Sequence, residues 1–334
     1  MVFLIHSGAP ALRAAGPIGN SIVDHGKYGV TVFFVVSAYS LCVSLRPAFD
    51  GGRVSWAAYF VRRFFRIAPL YYVVLAYVLL SGSVSIAHEH SSESVLLHVT
   101  FGNVFAPQFA NDILSVEWSI AVEWGFYLLL PILVIACRWR HGLAILVVIA
   151  IVLLRWRDDV AAALGPVFFA NRSYSLLFHF YAFVLGMVVF RAVSTDLASP
   201  IVRRLMTAAS VALVAIMLLR GETDWSGSMV AIVACSAMLN ATAGTTANRF
   251  LSWKPLVWVG IVSYSIYLLH FLIIGAFAGF GLKSDLAMIG ALIVTIAGAS
   301  LTYAVIEKPF RQVGRQIAWR VAGPPAALAG EGRG

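Results

Sequence analysis

The sequence predicts an all-α protein that crosses a membrane about ten times. Three observations carry that expectation. Hydrophobic residues make up 60% of the 334, charged residues only 12%, and the mean hydropathy is +0.87. A soluble domain keeps about a quarter of its residues charged, so at half that share most of the surface must face lipid. Apolar runs also recur along the chain at the length of a membrane span. Finally, Lys and Arg segregate between alternate connectors, as they do in polytopic proteins.

Nine runs come near the ~20 residues that a spanning helix needs. They are 27–46, 67–82, 113–136, 142–156, 174–193, 202–219, 227–244, 256–280 and 286–306. The run 142–156 is short and must borrow flanking residues to cross. Residues 1–12, MVFLIHSGAPAL, read as the end of a tenth helix. Twelve residues reach only about 18 Å across a ~30 Å hydrocarbon core. A signal peptide fits no better, because no basic segment precedes MVFLI and the apolar run is too short. The expectation is a first helix truncated at its N-terminal side.

With connectors assigned alternately, 17 of the 24 basic residues fall on one side. That side is the cytoplasm by the positive-inside rule, which puts both termini there. The long connector 82–112 has Glu89, Glu93, three histidines and no Lys or Arg, and belongs outside. Residues 1–315 form one membrane-embedded domain. Residues 316–334 read as a basic, then Gly/Pro/Ala-rich cytoplasmic tail expected to be disordered at its end. The net charge of +9 belongs to basic loops and not to a nucleic-acid surface. Cys42, Cys137 and Cys235 lie far apart inside apolar runs and read as plain buried thiols, with no spacing for zinc or a disulfide. No metal ligand set is expected.

Polar residues inside apolar runs are costly, and so they are informative. In VEWSIAVEWGFYLLLP, Ser119, Glu123 and Tyr127 are four apart and share one helix face, with Glu117 about 120° round the helix from Glu123. Glu123 is either a functional carboxyl or a protonated one bonded to a neighbouring helix. In SYSIYLLHF, Ser263, Tyr267 and His270 form a stripe with Tyr264 at its edge. His270 is either functional or a satisfied packing histidine; His179, in LLFHFYAF, is more isolated. In VRRFFRIAPLYY, where a connector enters the span 67–82, Arg62 and Arg66 are i, i+4 and Arg63 and Arg66 are i, i+3. Their guanidinium groups suit phosphates, although a topology anchor on anionic lipid would also use basic residues here.

The stretches HGKYGVTVFFVVSAYSL, RRFFRIAPLYY, WSIAVEWGFYLLLPIL, SYSIYLLHF and IEKPFR occur in this order. Together they resemble the acyltransferase 3 family of bacterial membrane O-acyltransferases, over residues 1 to about 315. The resemblance implies about ten helices in the cytoplasmic (inner) membrane. It also implies transfer of an acyl group, usually acetyl from cytoplasmic acetyl-CoA, to a hydroxyl of an extracytoplasmic glycan or lipid-linked saccharide. Some members act on small molecules such as macrolides. The family's first helix carries an arginine, ten residues and an essential histidine. His6 matches that histidine by context, and its partner arginine would fall before Met1. Thr31, Ala38 and Trp124 depart from the family pattern at a frequent Asp, a Gly and a second Glu.

The roles implied are His6 as base or acyl carrier and Glu123 as the acid that orients an imidazole. Arg63 and Arg66, with Arg62 beside them, would hold the CoA phosphates. Ser263, Tyr264, Tyr267 and His270 would line the cavity, with Trp118, Ser119 and Tyr127 as packing or acceptor contacts. Acetyl-CoA is expected as donor substrate, with no permanently bound cofactor. A transporter and an inactive truncated remnant are the rival readings. A serine hydrolase of the nucleophile-elbow type is excluded, since there is no GxSxG.

Overall fold

Every one of the nine apolar runs forms a helix in the computed structural model, which describes residues 1–81, 91–282 and 284–322. No strand occurs among the described residues. In chain order the principal elements are α1 (Val2–Ser7), α2 (Gly29–Ser44), α3 (Trp56–Ser81), α4 (Ser92–Thr100), α5 (Trp118–Cys137), α6 (Gly142–Arg155), α7 (Leu176–Ser194), α8 (Pro200–Arg220), α9 (Ser226–Ala241), α10 (Lys254–Ile261), α11 (Ser263–Gly279), α12 (Asp285–Thr302) and α13 (Lys308–Ala322).

By length and composition, six helical stretches among the described residues can cross a membrane, or seven when the bent pair α10–α11 counts as one. This falls short of the ten expected, for identifiable reasons. Helices α6 and α9 have 14 and 16 residues, so at 1.5 Å per residue they reach about 21 and 24 Å. The run 256–280 is not continuous: α10 and α11 meet at 72° around Val262. Helix α1 has six residues and stops at Gly8, whose φ of 72° is the left-handed conformation that ends helices.

Two boundaries differ from the sequence reading. Helix α3 begins at Trp56, so Arg62, Arg63 and Arg66 lie inside it and not at its entrance; Pro69 sits within it without ending it. Helix α12 does not stop at Ile306. It passes through a π-helical turn, Tyr303–Glu307, into α13. The basic stretch expected as tail is therefore helical to Ala322, and residues 323–334 lie outside the described residues, as do Glu89 and the rest of 82–90.

Helices α2, α3, α5 and α7 supply the centre of the bundle, with Phe34, Tyr71, Phe126, Tyr127 and Phe183 fully or almost fully buried. Between helices in lipid, close approach of small residues replaces the hydrophobic drive available in water. Gly186 of α7 illustrates this. A Cβ there would lie 2.3 Å from the Val35 carbonyl oxygen and 2.8 Å from the Ala38 Cβ of α2. The outer helices behave oppositely: only 11% of the most apolar window of α8 is buried, leaving an apolar face turned outward.

Candidate active site

Helix α1 meets α11 at a pair of histidines. His6 Nδ1 lies 2.8 Å from His270 Nε2, and the rings stack with centroids 5.0 Å apart and planes at 20°. His270 Nδ1 lies 2.6 Å from the Tyr267 carbonyl oxygen. A carbonyl only accepts, so Nδ1 carries the proton, and in the neutral ring Nε2 is the acceptor. His6 Nδ1–H then donates to it, which leaves His6 Nε2 without a proton. His270 is buried at 1% exposure, whereas His6 is exposed.

Below this pair lies a cavity of about 310 Å³. Ser119 and Glu123 of α5 line it, as do Ser263, Tyr264, Tyr267 and His270 of α11; Met1, with Val2 and Phe3 of α1, forms part of its wall. The stripes predicted on two separate runs thus face one space. The Ser119 hydroxyl donates to the Tyr267 hydroxyl at 2.8 Å, which in turn donates to the Val116 carbonyl at 2.7 Å. This chain pins α11 to the start of α5. The Tyr264 hydroxyl donates to the Ile67 carbonyl of α3 at 2.7 Å.

Glu123 is buried and its Oε1 accepts from Ser37 Oγ of α2 at 2.6 Å and from the Tyr127 hydroxyl at 2.5 Å. The sequence resemblance pairs this carboxyl with an imidazole. The structure instead gives its hydrogen bonds to two hydroxyls, while His270 is the group bonded to His6. Glu123 and His270 share the cavity wall. Ser37 lies within a motif that carried the resemblance, yet a serine in an apolar run gave no sign of this partner.

The arginines separate. Arg63 packs beside the rings of Tyr59 and Tyr127, 5.8 and 5.7 Å from their centroids, and its buried Nε has no hydrogen-bond partner. Arg66 lies within Coulomb reach of Tyr127, Glu123, Glu307 and Tyr264. Arg62 is exposed. Arg63 and Arg66 therefore approach the floor of the Glu123 region, and Arg62 does not join them. Trp118 takes a packing position, stacked on His179 at 5.3 Å and edge-on to Phe34. Glu307, from IEKPFR, is buried in the π turn and accepts from the Ser265 hydroxyl. Neither partner stands out in the sequence, since π turns carry no clear sequence signal.

A bundle of apolar helices around a largely apolar cavity, with a few polar groups and His270 in its wall, suits a membrane-embedded enzyme or carrier. Comparison with known proteins gives the family. The acyltransferase domain model, acyltransferase 3, matches residues 1–306. The chain belongs to this acyltransferase family. It is 26% identical over 337 residues to "Putative peptidoglycan O-acetyltransferase YrhL" of Bacillus subtilis, covering 86% of this chain and 51% of that protein. It is 26% identical over 352 residues to O-acetyltransferase OatA of Staphylococcus aureus, covering 92% and 57%. The chain thus spans about half the length of the curated relatives it matches. No solved structure matches it significantly.

Proposed function

We propose that this membrane O-acyltransferase moves an acetyl group from acetyl-CoA to a hydroxyl of an extracytoplasmic glycan, with peptidoglycan the first candidate because the name of one relative specifies it. The observation that carries the reading is the tautomer chain Tyr267 carbonyl–His270–His6, which leaves an unprotonated Nε2 on an exposed histidine bonded to His270 of the cavity wall.

In this reading the acceptor hydroxyl gives its proton to His6 Nε2 as its oxygen bonds to the acyl carbon. The C–S bond of the thioester breaks, and the proton passes to the departing CoA sulfur. The same lone pair would serve if the imidazole carried the acetyl group itself. Arg63 and Arg66 hold the CoA phosphates at the cytoplasmic end of the cavity, and Glu123, bonded by Ser37 and Tyr127, balances the charge of Arg66. The working topology is ten crossings in the bacterial cytoplasmic membrane with both termini inside, α6 and α9 crossing with help from flanking residues.

A carrier would use broken helices in paired halves of the chain. The α10–α11 break is a single one among the described residues, and the family match favours the enzyme. The test is reconstitution in proteoliposomes with labelled acetyl-CoA on the arginine side and glycan on the other. Label appearing as an alkali-labile ester on the glycan is the expected result. Retention of all label on CoA, with the glycan acceptor present, would reject it.

A further inference from the structure

The sequence reading expected no metal ligands, but His98, Asp112 and Glu117 converge outside the cavity just described. Their donor atoms lie within 4.8 Å of one another. His98 Nε2 is 3.4 Å from Glu117 Oε1 and 3.5 Å from Asp112 Oδ1. His98 and Glu117 are fully buried, and both Nε2 and Asp112 Oδ1 lack a hydrogen-bond partner.

The spacing discriminates between two arrangements. A charge-assisted N–H···O bond closes to about 2.7–2.9 Å, and neither contact does so. Two ligands each ~2.1 Å from a tetrahedral ion stand about 3.4 Å apart, close to the separations seen. The surroundings fit ligation as well. His98 Nδ1 lies 2.8 Å from the Ser94 carbonyl, which fixes the proton on Nδ1 and turns a bare Nε2 toward the carboxylates. The Ser94 hydroxyl, 3.5 Å from that same Nδ1, donates to Asp112 Oδ2 at 2.6 Å. Glu117 is oriented by the backbone N–H groups of Ile113 and Leu114 on Oε1, at 2.8 and 2.9 Å, and of Val116 on Oε2 at 3.0 Å. Asp112 alone is partly exposed, which leaves water a route to a fourth position.

We propose that His98, Asp112 and Glu117 bind one divalent transition-metal ion, with Zn²⁺ the best match to one imidazole and two carboxylates. The ion ties α4 to the segment that begins α5, the helix carrying Ser119 and Glu123. Its role is to position that helix. Glu117 stands immediately before the first residue of α5.

The experiment measures Zn²⁺ content and affinity of the purified full chain after chelator treatment and repletion with Zn²⁺ alone. One equivalent is expected, with thermal unfolding shifted upward by Zn²⁺ and the tetrahedral visible absorption appearing on Co²⁺ substitution. Asp112→Asn, at the partly exposed ligand, should fold and lose stoichiometric binding. Ser94→Ala, which keeps all three ligands, should weaken binding about 10–100-fold. Absence of stoichiometric metal in the wild type, undiminished binding in Asp112→Asn, or preference for Ca²⁺ over Zn²⁺ would each overturn the proposal.

Discussion

His6 and His270, 264 positions apart in the chain, share a 2.8 Å contact between ring nitrogens that fixes which nitrogen of each is protonated. His270 acts through His6 and so is expected to be a positioning residue. His270→Phe removes the acceptor for the Nδ1 proton while keeping a ring in the stack. The expected outcome is a fall in kcat with KM for acetyl-CoA unchanged, because the lost interaction matters when His6 takes charge in the transition state. Steady-state kinetics in proteoliposomes check this; equal loss in binding and turnover would point to a packing role.

The carboxyl of Glu123 depends on two hydroxyl donors. Tyr127→Phe removes one and leaves a buried acceptor short of a partner, at a cost of about 1–3 kcal/mol. Thermal unfolding in detergent should show the loss, and Ser37→Ala should show a similar one. Neutral behaviour in both variants would mean that these hydroxyls do not hold the Glu123 carboxyl between α2 and α5.

Arg63 and Arg66 separate a donor site from a topology anchor. Replacing both by Lys keeps the basic charge, so insertion should survive. Binding of acetyl-CoA should nevertheless weaken roughly tenfold or more, since each lost bidentate contact costs about 1.5–3 kcal/mol and an ammonium lacks the planar fork. Calorimetric titration with acetyl-CoA reads this directly. Unchanged affinity would return the pair to an anchoring role.

Gly186 tests the packing of α2 on α7. Gly186→Ala places a methyl 2.3 Å from the Val35 carbonyl oxygen, and overpacking of this kind costs about 1–3 kcal/mol. A lowered unfolding temperature is expected. Full stability would show that the two helices separate easily.

Much of this was legible in the sequence, for physical reasons. Apolar length locates helices because lipid leaves the backbone no other partner, and each of the nine runs proved helical. The i, i+4 stripes through Glu123 and His270 predicted shared faces, and both line the cavity. Less legible were features decided by contact between distant segments. The partner of His6 depends on α1 meeting α11, and the partner of Glu123 on α2 meeting α5. The bend at Val262 and the π turn before Lys308 interrupt the regular helix of predominantly apolar segments. The cluster His98, Asp112 and Glu117 spans a loop with no Cys/His spacing to announce it.

His6 Nε2, as base or as acyl carrier, is the group on which acetyl transfer turns. The measurement that tests this most directly is the rate of acetyl transfer from acetyl-CoA to glycan by His6→Ala in proteoliposomes, with insertion and acetyl-CoA binding verified in the same preparation. Loss of a general base should slow transfer about 10²–10⁴-fold while leaving donor binding intact. Transfer at a near wild-type rate would contradict the account.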